Sequence, residues 1–202
     1  MKLVIATRNR GKAKEIAAML EGAGVEAVSL NEYPSLALPP ETGRSFRENA
    51  LLKARFVAEA TGLPALSDDS GLEVDALSGA PGVFSARYAG EGATDADNCA
   101  KLLAALEGVP EDKRTARFRC AVAFVEPGNT EEVFEGEFEG KIAAEPRGRG
   151  GFGYDPVFIV PGTGLTVAEL KPGEKDRISH RAMALSAFRE FLCARQSRRK
   201  EE

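Results

Sequence analysis

The 202 residues are 43% hydrophobic and 29% charged, a typical globular composition with enough chain to bury one substantial core. Acidic residues outnumber basic ones by 31 to 27, so the net charge of −4 gives no whole-molecule attraction to nucleic acid or to an anionic membrane. The cysteines Cys99, Cys120 and Cys193 form no C-x-x-C pair, which argues against a disulfide framework or a zinc site and favours a reduced, cytoplasmic compartment.

The amino terminus predicts a strand, a polar turn and a helix. Residues 3–6 are a short apolar run, which is too short for the apolar core of a signal peptide. After the turn, Ile16, Met19 and Leu20 fall on one face of a helical pattern. A second strand is expected at 25–30. Because no long apolar segment follows, we expect a soluble, unprocessed protein.

A proline-bearing loop leads to the second helix. Ser45 and Glu48 predict a capping box, in which the serine hydroxyl accepts from the Glu48 amide and the Glu48 carboxylate reaches back to the Ser45 amide. The helix is expected to end near Thr61. The apolar runs 63–66 and 72–74 predict two short strands, with a pair of aspartates at the mouth of the first.

The second half of the chain predicts a helix, a hairpin, a short strand and a last helix. Thr94 can cap the helix, and alternating residues over 116–125, followed by turn residues and a second strand at 133–138, indicate the hairpin. Another strand is expected at 157–160, and the last helix begins near Ser179. The hairpin favours a mixed α/β sheet over a purely parallel one. We expect one domain over residues 1–196 and a frayed charged tail over 197–202.

A glycine-rich loop contains Gly148, Gly150 and Gly153 in the spacing G-x-G-x-x-G. A dinucleotide-binding fingerprint needs a preceding strand and a following helix, and here a proline precedes and a β-branched run follows. Two interpretations remain. The segment is either a flexible surface loop, or it presents Phe152 as a stacking surface for a flat ligand, with the Asp155 carboxylate accepting hydrogen bonds from that ligand.

The first polar turn is a candidate anion site. It offers hydroxyl, amide and cationic side chains where a helix amino terminus points its free N–H groups, although the spacing is not that of a Walker A loop. A capped loop with solvated cations is the alternative. The residues of this turn are Thr7, Arg8, Asn9, Arg10, Gly11 and Lys12.

The adjacent aspartates Asp68 and Asp69 are a candidate metal site. Two ionised carboxylates side by side need cations or hydrogen bonds, which suits Mg²⁺, and Glu41 in a nearby loop could complete the site. A solvated turn capped by aspartate is equally compatible with these residues.

His180, the only histidine, stands beside Arg181 and close in sequence to Lys175. A lone histidine is more often a residue at a helix start than a catalyst, and the cluster can be a solvated charged face. Alternatively, the cluster supplies cations to a polyanionic ligand.

Six stretches match one known family in order and spacing. Together they strongly resemble the inosine triphosphate pyrophosphatase family, the deaminated-purine nucleoside triphosphate pyrophosphatases, with Arg8 standing where small residues are common in relatives. The stretches are ATRNRGK at 6–12, ETGRSFRENALLKA at 41–54, LSDDSGLEVDAL at 66–77, GAPGVFSARYAG at 79–90, GGFGYDPVF at 150–158 and KDRISHRAMAL at 175–185.

The resemblance implies an elongated mixed α/β fold with flanking helices, two lobes around a central substrate cleft, and usually a homodimer. It implies Mg²⁺-dependent hydrolysis of ITP, dITP and XTP to the monophosphate and pyrophosphate, which clears them from the nucleotide pool. Pyrophosphatase activity on other modified nucleotides is the alternative. A nucleotide-binding or RNA-binding module without catalysis is a different class, and the acidic net charge counts against RNA.

The resemblance also implies roles for individual residues. Residues 7–12 would hold the phosphates, and Glu41 with Asp69 would hold Mg²⁺. Asp69 would also be the general base, and Asp68 is a second candidate for metal or water. The remaining substrate contacts would come from Ser70, from Phe152 stacking on the purine beside Gly153, Tyr154 and Asp155, and from Lys175, His180 and Arg181 closing over base and phosphate.

Overall fold

The computed structural model describes residues 1–128, 130–171 and 173–201. The chain divides into two compact units. Unit 1 comprises Met1–Asp69, Cys120–Gly136 and Arg181–Glu202, and unit 2 comprises Ser70–Arg119 and Glu137–His180. The expectation of one domain over residues 1–196 stays a prediction.

Six strands form one sheet in the order β2-β1-β3-β4-β5-β6. Strand β1 is parallel to both β2 and β3, whereas β5 is antiparallel to β6, so the predicted mixed α/β sheet is confirmed. The predicted hairpin is confirmed too, since β4 and β5 are neighbours joined by a short connection. The strands are β1 (Lys2–Ile5), β2 (Glu26–Ser29), β3 (Ala65–Val74), β4 (Thr115–Val125), β5 (Glu131–Ile142) and β6 (Phe158–Ile159).

The helices are α1 (Arg10–Leu20), α2 (Phe46–Thr61), α3 (Asp95–Ala105), α4 (Lys175–Ile178) and α5 (His180–Glu201). The bounds of α5 include most of the segment predicted as a frayed tail, and Glu202 lies outside the described residues. Across the described part of the chain, no helix combines the length and apolarity needed to cross a membrane.

Each unit has its own hydrophobic core. In unit 1, Ile16 and Leu20 of α1 and Phe188 of α5 are buried with Phe124 of β4. The predicted face of α1 is therefore mostly confirmed, with Met19 only partly buried at its edge. In unit 2, buried residues of α3 and of strands β3 and β4 pack with the segment around Phe158.

The aspartate pair differs from the sequence expectation. Asp68 and Asp69 lie inside the continuous strand β3 and are buried, rather than in a turn at a strand mouth. Asp, Ser and Gly are typical turn residues, so local patterns indicate a break here. Cations from distant parts of the chain make the buried strand possible.

The capping prediction for α2 is half confirmed. The Ser45 hydroxyl accepts from the Glu48 amide at 3.2 Å, but the Glu48 carboxylate accepts from the Arg44 amide at 2.6 Å instead of the Ser45 amide. The predicted Thr94 cap of α3 is confirmed, with a complete capping box involving Asp97. The Ser45 cap fixes the start of α2, the helix that carries two buried polar side chains of the site described below.

Replacing Ser45 by alanine tests this cap. The Glu48 amide loses its acceptor, so we expect Ser45→Ala to lower the free energy of unfolding by about 1 kcal/mol, measured by urea denaturation. Ser45→Asn keeps a capping acceptor and is expected to stay near the parent. Equal midpoints for the alanine and parent proteins would show that the cap contributes nothing.

Candidate active site

The site in unit 1 is built on two neighbouring carboxylates that point in opposite directions. Successive side chains of a strand alternate between the faces of the sheet. Asp68 contacts residues of α1 and α5, whereas Asp69 contacts residues of α2. The two aspartates therefore have different partners and different electrostatics.

Asp68 is held by two cations. Its Oδ2 lies 3.1 Å from the Lys12 ammonium and 3.1 Å from the Arg181 Nε, and Arg181 also donates to the Glu15 carboxylate. Burial alone would raise the pKa of the Asp68 carboxyl, but the cations of Lys12 and Arg181 hold it well below its usual range. Asp68 is consequently ionised at neutral pH.

Asp69 shares one cation with Glu41. The Lys53 ammonium lies 2.5 Å from Glu41 Oε1 and 3.3 Å from Asp69 Oδ1, while the Asn49 side-chain amide donates to Asp69 Oδ2 at 3.1 Å. Burial raises the pKa of the Asp69 carboxyl; Lys53 opposes this rise, and the charge of Glu41 adds to it. Burial alone would lower the pKa of the Lys53 ammonium, but Asp69 and Glu41 raise it.

Lys53 is a residue of this site that sequence reasoning missed. It is 6% exposed and lies four residues after Asn49, on the face of α2 that also buries Ala50 and Val57. A lysine on an otherwise apolar helical face was the available signal, because lysine is almost never buried unless it is paired.

The carboxylate oxygens of Glu41 and Asp69 around Lys53 fit a divalent cation that is also coordinated by water or by substrate. Two carboxylates converge on one ammonium, so this position stabilises positive charge. Mg²⁺ is commonly held by one or two carboxylates together with waters and substrate phosphates. Within the described ranges, no cluster of three or more His, Cys, Asp or Glu side chains forms a metal site from protein ligands alone.

The turn before α1 is a capped helix start. The Asn9 side-chain oxygen accepts from the Lys12 amide at 3.1 Å, and the Thr7 hydroxyl accepts from the Asn9 amide at 3.2 Å. Arg10 and Gly11 are the first two residues of the helix, and Lys12 turns its ammonium to Asp68. The structure therefore brings the cation of this turn and the aspartate pair together.

Arg8 differs from its neighbours. Its guanidinium donates to three backbone carbonyls and one side-chain oxygen in the segment 30–36. Its predicted contact with substrate stays a prediction.

The glycine-rich loop in unit 2 is organised by Asp155. One carboxylate oxygen, Oδ2, accepts from the Phe152 amide at 2.9 Å and from the Lys175 ammonium at 2.7 Å. The same ammonium lies 4.2 Å from the centroid of the Phe152 ring. A Cβ at Gly151 would lie 2.0 Å from that carboxylate oxygen, so the loop needs glycine there. The structure thus joins Phe152, Asp155 and Lys175 in one cluster.

Gly153 and Tyr154 are held by the rest of unit 2. The Gly153 amide donates to the Asp95 carboxylate at 2.7 Å, and its carbonyl accepts from the Cys99 thiol at 3.5 Å. Burial raises the pKa of that thiol to about 11, which keeps it a donor. Tyr154 is buried and donates to the Ser85 carbonyl at 2.8 Å, so its side chain is part of the core.

His180 stacks on Phe118 in unit 2, with ring centroids 4.9 Å apart and planes within 15°. Beside it is a cavity of about 10 Å³, room for about one water. Three predicted base-site residues line this cavity together with apolar side chains: Asp155, Lys175 and His180. Phe152 and Tyr154 are not among the residues that line this cavity.

Ser70, the remaining predicted substrate contact, follows Asp69 in β3 and is half-buried.

The fold is a mixed α/β sheet in which buried carboxylates are paired with lysine and arginine side chains. The sequence profile described as the Ham1 family matches residues 3–191. The chain belongs to the Ham1 family.

Relatives and solved structures agree over almost the whole chain. The chain is 53% identical to a protein of Geobacter sulfurreducens named dITP/XTP pyrophosphatase, covering 95% of this chain and 96% of that protein. It is 54% identical to a protein of the same name from Geobacillus kaustophilus, covering 94% of this chain and 93% of that protein. The structure of a HAM1 protein from Coxiella burnetii matches with a TM-score of 0.88 at 45% identity, covering 96% and 99%. The crystal structure of a nucleoside-triphosphatase, dITP/XTP pyrophosphatase of Mycobacterium abscessus matches with a TM-score of 0.77 at 50% identity, covering 93% of this chain and 98% of that one.

Removing the shared cation tests the electrostatics around Lys53. Lys53→Met removes the cation shared by the buried Asp69 and the partly buried Glu41, so we expect a loss of roughly 3–5 kcal/mol in the free energy of unfolding, measured by urea denaturation. The exposed Lys141→Met is the matched control and should stay within about 0.5 kcal/mol of the parent.

A double variant separates charge from packing. If repulsion between the Asp69 and Glu41 carboxylates causes the loss, Lys53→Met should lower the free energy of unfolding clearly less in an Asp69→Asn background, since one of the two carboxylates is then neutral. Equal costs in both backgrounds would mean that the loss comes from packing alone.

Proposed function

We propose that this chain is a nucleoside triphosphate pyrophosphatase that hydrolyses deaminated purine nucleotides, ITP, dITP and XTP, to the nucleoside monophosphate and pyrophosphate. The observation that carries this proposal is the convergence of the Glu41 and Asp69 carboxylates on the Lys53 ammonium. Relatives matched over nearly their whole length and named dITP/XTP pyrophosphatase support the same activity.

Unit 1 carries the residues proposed for metal and phosphate. Glu41 and Asp69 would hold Mg²⁺, which would supply stabilisation of the negative charge on the phosphate oxygens. The Lys12 ammonium and the free amides at the start of α1 bind the phosphates, because a helix amino terminus and a nearby cation both favour anions. The hydroxyl of Thr7 and the side chains of Asn9 and Arg10 line the same turn.

Asp69 is proposed as the general base. It would position and deprotonate the water that attacks the α-phosphorus as pyrophosphate leaves. The Asn49 amide and Lys53 ammonium hold this carboxylate in place. Asp68, already paired with Lys12 and Arg181, keeps those two cations oriented.

Unit 2 carries the residues proposed to read the base. Phe152 would stack on the purine, and the Lys175 and His180 side chains would donate to a 6-keto oxygen that adenine lacks. Buried donors left unpaired by the wrong base can discriminate by several orders of magnitude. Since the cavity beside His180 has room for about one water, binding a base there would require the neighbouring side chains to move.

We also propose Ser70, Gly153, Tyr154, Asp155 and Arg181 as substrate contacts, of which Tyr154 acts through its backbone because its hydroxyl is used in the core. Action in the cytoplasm as a homodimer is part of the same proposal. Sedimentation measures the oligomeric state directly, and a monomer would overturn that part alone.

A pyrophosphate-release assay tests the activity. With Mg²⁺ present, we expect turnover of dITP and XTP far above that of dGTP and dTTP. Asp69→Asn should lower kcat by about 10²- to 10⁴-fold, because the general base is lost, with an unchanged circular dichroism spectrum. The exposed Asp112→Asn is the matched control and should be fully active. Faster turnover of other modified nucleotides would favour the alternative substrate class.

Phe152→Ala tests the stacking role. We expect weaker nucleotide binding by roughly 1–3 kcal/mol, seen as a raised KM, together with a reduced preference for dITP over dGTP. The control is Phe84→Ala, which removes a ring that is 56% exposed. Unchanged affinity and base preference in Phe152→Ala would show that the ring does not contact the base.

A further inference from the structure

Arg8 donates hydrogen bonds from nearly all of its guanidinium N–H groups to one segment of the chain. Its NH1 donates to the Leu30 carbonyl at 3.1 Å and to Asn31 Oδ1 at 3.3 Å. Its NH2 donates to the Tyr33 carbonyl at 2.9 Å and to the Leu36 carbonyl at 2.8 Å. A guanidinium has five N–H groups, of which the two terminal nitrogens carry four. All four are used inside the protein.

The bound segment consists of two turns, each with its own internal hydrogen bonds. The Ser29 hydroxyl accepts from the Asn31 amide, and the amides of Tyr33 and Leu36 donate to the carbonyls of Leu30 and Tyr33. These hydrogen bonds hold each turn separately. Since a carbonyl oxygen has two lone pairs, Arg8 takes the second one at Leu30 and Tyr33 and joins both turns to the end of β1.

The same segment leads directly to Glu41. Residues 30–36 follow β2 and continue into the loop whose Glu41 carboxylate meets the Lys53 ammonium. Arg8 itself lies between Thr7 and the helix cap Asn9. One side chain thus connects the proposed phosphate turn to the chain that delivers a proposed metal ligand.

We propose that Arg8 is a positioning residue that fixes the segment 30–36, and through it Glu41, relative to the phosphate turn. This inference rests on the proposed function for its kinetic consequence and assigns Arg8 no direct contact with phosphate. Lysine carries three donors on a single nitrogen and cannot span four acceptors arranged for a planar fork. Charge alone is therefore insufficient at this position.

The test uses Arg8→Ala and Arg8→Lys in the full chain. Hydrogen exchange followed by mass spectrometry should show faster exchange of amides over residues 31–37 in both variants. Calorimetric titration with Mg²⁺ alone should show affinity lowered by about 10- to 100-fold, as is typical when a residue supporting a metal ligand is lost. In the assay, half-maximal activity should need a higher Mg²⁺ concentration, while KM for dITP at saturating Mg²⁺ changes by less than about two-fold, because no phosphate contact is removed.

Two further variants sharpen the result. Arg10→Ala removes a cation from the same turn, and its effect should appear in KM and weaken with added salt. Arg55→Ala removes an exposed arginine of α2 paired with Glu131 and should leave activity and exchange unchanged.

The contrary outcome is equally specific. If Arg8→Ala raised KM for dITP ten-fold or more, or if Arg8→Lys restored parent activity and exchange, Arg8 would be a phosphate contact and the positioning role would be wrong. Unchanged exchange over 31–37 in Arg8→Ala would also overturn it. Because exchange and Mg²⁺ binding need no turnover, they test Arg8 even if the parent protein fails to hydrolyse dITP.

Discussion

The arrangement of unit 1 depends on the burial of two adjacent carboxylates in one strand. Asp68 and Asp69 leave β3 on opposite sides, and each buried ion costs several kcal/mol unless a partner compensates it. A cation is therefore needed on both faces of the sheet. Helices α1 and α5 supply Lys12 and Arg181 on one face, and α2 supplies Lys53 on the other. Charge matching adds to apolar packing in fixing where these helices lie.

The two aspartates are compensated differently. Asp68 lies against two cations, Lys12 and Arg181. Asp69 and Glu41 share the Lys53 ammonium, and the Asn49 amide also donates to Asp69. This difference supports the proposal that Asp69, rather than Asp68, is the aspartate suited to a metal ion.

The features that sequence could predict are those set by neighbouring residues. Caps at Ser45 and Thr94 and the hairpin follow from local patterns, and the six matching stretches identify the family, whereas the predicted alternation of β4 ends at Arg119, after which every residue of the strand is buried. The partners of Asp68 could not be predicted this way, because Arg181 lies 113 residues away along the chain. The same holds for Lys53, whose charge is stable in the core only because the fold brings two carboxylates to it. Local sequence patterns predict a turn for Asp-Asp-Ser-Gly, because they take no account of charges that lie far away along the chain.

The glycine-rich loop shows how one sequence pattern serves different physics. In a dinucleotide fold, glycines let the backbone approach a pyrophosphate. Here the Gly150 amide donates to the Ala168 carbonyl at 3.0 Å, and a Cβ at Gly148 would lie 2.5 Å from that carbonyl group. Gly151 leaves room for the Asp155 carboxylate. In each case the missing side chain permits close approach to another part of the protein, and the approach at Gly151 is the one that lets Asp155 hold both Phe152 and Lys175. The glycines thus shape the cluster proposed to read the base, while the residues proposed to bind phosphate are Lys12 and those at the start of α1.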